Sequence, residues 1–149
     1  MSPRKSIIWV GTLALLSLDA PLVLAAEGGT DDGLADALRA PVTGQIAAYG
    51  KKDAAGAMKF VDTKSPDYES TKLALEEQFK DLDVTPTPVD FDYIGHDEEF
   101  AVARVKVKTT GKPESGFVDN TVDSIMIFHF QDGAWKLWAD KVLGVELPK

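Results

Sequence analysis

The chain has 149 residues, a formal charge of −8, no cysteine and two histidines. A surface this acidic argues against nucleic acid and anionic membrane as partners, because both are polyanions. Without cysteine there is no disulfide, so stability must come from packing, with oligomerisation as a further source.

Arg4 and Lys5, the apolar run 7–16 and the small pair Ala25-Ala26 follow one another in the order of a secretory signal peptide. Cleavage after Ala25 or Ala26 is expected, which would export the protein to the periplasm or the medium. An uncleaved anchor would need about 20 mostly apolar residues, and Asp19 and Pro21 interrupt the run. The expected organisation is a leader over 1–26, a polar flexible start over 27–32 and one domain over 33–149.

Leu34, Leu38, Val42, Ile46 and Tyr49 recur at helical spacing, with Thr30, Asp31 or Asp32 as candidate caps and Gly50 as a stop. Pro41 requires a kink or a later start. Asp53 is placed to cap a short second helix through Ala54, Met58 and Val61. Ser65-Pro66 predicts the start of a third, with Tyr68, Leu75, Phe79 and Leu82 on one face. After the run 85–88 the period changes to two, and strands are expected over 89–94, 100–108, 117–131 and 134–143. Helices followed by strands indicate an α+β fold: three N-terminal helices packed on a mainly antiparallel sheet.

Asp132-Gly133 is the strongest turn signal in the chain, and a two-residue hairpin there fixes the register of the last two strands. In that register Phe130 faces Trp135, Phe128 faces Leu137, Met126 faces Ala139 and Ser124 faces Lys141, all on one side. The other side pairs His129 with Lys136, Ile127 with Trp138, Ile125 with Asp140 and Asp123 with Val142. Residues three apart cannot share a strand face, so Trp135 is assigned to the helix-covered core and Trp138 to the outer face. The outer set Asp123, Ile125, Ile127, Trp138 and Asp140, with Arg104, Lys106 and Lys108 from the preceding strand, makes a mixed apolar and ionic surface. A second copy of the sheet is its simplest cover, so a homodimer is expected.

The segments "AAYGKKDAAGAM" and "DGAWKLWAD", in this order of elements, resemble the NTF2-like superfamily over about residues 33–145. The resemblance implies a curved sheet wrapped round a long helix as a cone. It also implies either a ketosteroid isomerase-like or dehydratase-like enzyme, or a noncatalytic binding or dimerisation domain. Pocket candidates are Tyr49, Tyr68, Phe79, Ser124, Met126, Phe128, Trp135 and Lys141. Asp90 or Asp92 would be the general base if they faced the cone, since burial and a neighbouring carboxylate both oppose ionisation. His129 lies too far along its strand from Asp123 to bond it, and His96 sits in an acidic turn without convergent metal geometry. No metal or cofactor motif, phosphate loop or nucleophile elbow is present. The expectation is an exported domain that binds a small apolar or amphipathic ligand or acts as a dimeric module, with a cone-facing Asp enzyme as the alternative.

Overall fold

The computed structural model describes residues 32–149. The expected leader over 1–26, and the start over 27–32 apart from Asp32, lie outside the described residues. Asp32 opens α1 (Asp32–Gly50), which runs straight through Pro41. Proline there costs the bond to the carbonyl four residues back. That carbonyl belongs to the exposed Ala37, while the Pro41 ring is buried. α2 (Ala54–Met58) is capped as expected, the Asp53 carboxylate accepting from the Gly56 amide at 2.8 Å.

α2 stops at Met58, so Val61 is not helical. The chain instead extends along the sheet edge, where Val61 bridges Leu137 in parallel. Leu137 donates to the Phe60 carbonyl and accepts from the Asp62 amide, each at 2.8 Å. α3 (Tyr68–Asp81) starts three residues after Ser65, contrary to the expected cap. The Ser65 hydroxyl is used elsewhere: it donates to the Trp138 carbonyl at 2.6 Å and accepts from the Asp67 amide. This bond ties the approach to α3 to the last strand.

Four antiparallel strands follow in spatial order β1-β2-β3-β4. β1 (Val84–His96) takes in the whole run expected to be a connection. Pro86 and Pro88 are tolerated because β1 is an edge strand, where a missing amide donor need not break a ladder. β2 (Phe100–Gly111) places Ala101, Ala103, Val105 and Val107 in the core. β3 (Asn120–Gln131) begins three residues later than the alternation suggests. A 3-10 turn at Pro113–Ser115 and Gly116 in the left-handed region carry the chain round first. β4 (Ala134–Glu146) follows a turn in which Asp132 and Gly133 have φ of 52° and 79°, the positive angles that a two-residue hairpin needs.

The core lies between the helices and one face of the sheet, with Leu38 and Phe128 fully enclosed at 0 % exposure. The hairpin register holds from Gln131–Ala134 to Phe128–Leu137 and then slips, so that Ile127 pairs with Ala139 and Trp138 is an unpaired bulge. Beyond the bulge each expected pair is displaced by one: Met126 meets Asp140, Ile125 meets Lys141 and Ser124 meets Val142. A one-residue slip exchanges the faces of all that follows. Asp140 therefore turns to the inner, helix-covered side beside Met126, and Lys141 turns outward, correcting both assignments. A second slip lets Asp123 meet Gly144.

Candidate functional site

On the inner face, α1 and β1–β3 enclose a pocket lined by Val42, Ile46, Tyr49, Val84, Val107 and Met126, with Gln45 and Thr109 among its few polar groups. Its empty space is about 440 Å³ with the open mouth included. Of the expected lining residues, Tyr49 and Met126 are present. The Tyr49 hydroxyl donates to Gln78 Oε1 at 3.3 Å, and its ring meets Phe79 edge-on at 4.8 Å. Phe128 and Ser124 are buried in the sheet, and Tyr68 and Trp135 pack against the core, Trp135 stacking on Phe130 at 5.2 Å.

Asp140 is the acidic group that sequence reasoning placed on the wrong face. Burial raises its pKa above the ordinary carboxylate value, and the negative charge of Asp67, at the start of α3, raises it further. Asp90 and Asp92 do not meet the condition set for a base. Both are exposed and lie outward, paired across the ladder with Lys106 and Arg104. Two bulges, at Val89 and Ile94, keep them on that side without burying them.

On the outer face Arg104 holds Asp123 in a two-pronged contact, Nε donating to Oδ1 at 2.9 Å. This bond keeps the Asp123 carboxyl below its ordinary range. Ile125 and Ile127 lie half-exposed beside it, with Val102 across the ladder. Towards the hairpin end, the rings of Phe100 and Trp138 stand 4.7 and 5.0 Å from the His129 ring. Behind them His129 Nδ1 lies 2.6 Å from Oδ2 of Asp62, a carboxylate with 0 % exposure. Its Oδ1 accepts from the Lys64 amide at 2.7 Å.

The Asp62–His129 link joins residues 67 apart in the sequence, so nothing local could have signalled it. His96 bonds Tyr93 rather than an acidic neighbour. Among the described residues no group of three or more His, Asp or Glu is arranged to hold a metal, and no helix is long and apolar enough to cross a membrane.

Solved structures share this architecture at low identity. A protein of unknown function from Mycobacterium tuberculosis is 12 % identical with a TM-score of 0.65, covering 77 % of this chain and 75 % of its own. An NTF2-like protein from Cytophaga hutchinsonii is 16 % identical with a TM-score of 0.59, covering 72 % and 94 %. A protein provisionally named scytalone dehydratase, from Novosphingobium aromaticivorans, is 12 % identical with a TM-score of 0.59, covering 81 % and 93 %. No curated protein matches the sequence significantly. The family model described as "Anti-sigma-I factor RsgI9, C-terminal domain" matches residues 40–147. The chain belongs to that family, and its fold is that of the NTF2-like proteins among these structures.

Proposed function

We propose that the chain is an exported, noncatalytic NTF2-like domain that pairs with a second copy through the outer face of its sheet and holds a small apolar molecule between α1 and the sheet. The observation that carries this reading is the outer face itself: half-exposed Val102, Ile125 and Ile127 bordered by the Arg104–Asp123 pair. Its charges are also self-complementary. β1 presents Asp90 and Asp92, β2 presents Arg104, Lys106 and Lys108, and β4 presents Lys141. A two-fold axis along the strands sets the acidic β1 over the partner's basic β4, whereas an axis across them would set like charges together. The matching family is named for a domain of an anti-sigma factor, a name for a regulator rather than an enzyme, which supports a binding role.

Sedimentation of the mature chain and of Ile125→Glu tests the pairing. Glutamate at that position lies across the ladder from Arg104 and Lys141, so the protomer can accommodate it. A dimer that becomes a monomer is expected; a mass unchanged by the substitution sinks the reading.

A second reading has its own support in Asp140. An inner-face carboxyl with a raised pKa, directly across the ladder from the pocket residue Met126, suits a general base of the isomerase or dehydratase kind. Its assay is proton exchange at a carbon next to a carbonyl. No exchange by the wild type, or equal exchange by Asp140→Asn, eliminates it.

A further inference from the structure

We propose that His129 and Lys136 form an anion site at the hairpin end of the outer face, walled by Phe100 and Trp138 and suited to a carboxylate on a small aromatic body. Three observations carry it.

The first is the orientation of the ring. Asp62, wholly enclosed, holds Nδ1 at 2.6 Å, and that bond turns Nε2 the other way. Among the described residues His129 Nε2 makes no hydrogen bond, and the buried side-chain nitrogens and oxygens that lack partners come to Asn120 Oδ1 alone. Nε2 is therefore not wholly enclosed, on a side chain that keeps 16 % of its surface exposed. With Nδ1–H committed to Asp62, a protonated ring offers Nε2–H as an outward donor.

The second is the neighbour. Lys136 is the direct cross-strand partner of His129, and the two side chains share the outer face. Such partners have Cβ atoms about 4.5–5.5 Å apart, close enough for one anion to reach both side chains. Lys136 forms no ion pair among the described residues, in a chain where acidic groups outnumber basic ones 24 to 16. An anion bridging Nζ and Nε2 of a protonated ring would accept two charge-assisted hydrogen bonds.

The third is the wall. The rings of Phe100 and Trp138, 5.5 Å apart at 78°, both contact the imidazole, and both remain partly exposed. A bare inorganic anion would leave those surfaces unused; a carboxylate carried on a ring would cover them. The bulge that releases Trp138 from pairing is what brings its indole to His129.

The titratable and charged groups facing His129 are Asp62 from the segment after α2 and Lys136 from β4, and Phe100 on β2 adds none. A protonated ring can donate from Nε2 while keeping its bond to Asp62. The site does not depend on pairing of two copies, because it lies four residues along β3 from Ile125.

The test is a titration of the mature protein with benzoate at pH 5.5, following the indole N–H of Trp138 and the His129 ring by NMR. Phenyl phosphate, acetate and benzamide serve as arms. A saturable shift with benzoate, absent with benzamide, is expected. Tighter binding of phenyl phosphate than benzoate would overturn the carboxylate assignment, and equal binding of acetate would overturn the aromatic wall. Because His129→Gln can disturb the fold by stranding Asp62, the deciding variant is Lys136→Met, whose side chain is at the surface. At least tenfold weaker benzoate binding is expected from it. No saturable shift in the wild type, or undiminished binding by Lys136→Met, refutes the site.

Discussion

Substituting His129 by alanine tests whether the Asp62–His129 link holds the strap over residues 60–65 to the sheet. Asp62 is completely enclosed, and after the substitution the Lys64 amide would be the one hydrogen bond left to its carboxylate. Loss of a charge-assisted bond at a buried carboxylate costs about 1.5–3 kcal/mol. The imidazole also contacts Phe100 and Trp138, and each such ring pair is worth roughly 0.5–1.5 kcal/mol. His129 keeps 16 % of its side-chain surface exposed, so water can enter the gap and recover part of the loss. A net cost of about 3 kcal/mol follows, at the lower end of what breaking a buried pair costs. Equilibrium urea unfolding at pH 7 measures it, with the slope checked for constancy. Asp62→Asn and the double variant complete a cycle. Because the double variant has no stranded charge, its cost should fall short of the sum by more than about 1 kcal/mol. A cost below about 1 kcal/mol for His129→Ala, or an additive cycle, would refute the reasoning.

Two other substitutions probe the packing and the inner face. Gly44→Ala in α1 would ordinarily help a helix by about 1 kcal/mol. Here a Cβ would run into the Phe60 ring, so a net loss of about 1–3 kcal/mol in the same unfolding assay is expected. Asp140→Asn should behave differently at the two ends of the pH scale. The wild-type carboxyl has a folded pKa raised above 3.8, so stability falls as pH rises through that value and then through the folded one. The asparagine variant lacks this fall, and should melt above the wild type at pH 7 but lose the advantage at pH 3. An identical difference in Tm at both pH values would show that Asp140 does not have the environment described.

The hairpin at Asp132-Gly133 was legible because the turn chemistry is local, and its register could be carried as far as Phe128–Leu137. The face of every residue in β3 and β4 near the hairpin, including Trp135 and Ile127, follows from that one turn. Past Trp138 the same rule gives the wrong answer, because a bulge leaves no mark in the alternation when residues on both sides of it are mixed in polarity. Asp140 and Lys141 exchanged places for that reason alone. The extension of β1 through Pro86 and Pro88 was hidden by residues that usually mark a loop; only the edge position, known from the assembled sheet, makes them acceptable. Asp62 was hidden by distance along the chain, since strand reasoning about His129 looked only to Asp123. Secondary structure and parity were therefore readable where local chemistry governs, and the site was unreadable where contacts between distant segments create it.

Stretches of both rims of the sheet are closed to further strands. On β1 the prolines remove two donors, and the bulges at Val89 and Ile94 bend the rail. On β4 the strap from Phe60 to Asp62 already occupies the groups at Leu137. Growth by adding one sheet to the next, the route by which exposed strands seed fibrils, has no starting point along these stretches. Along those stretches the rims offer no template for another chain, which leaves the faces of the sheet as the surfaces open to pairing.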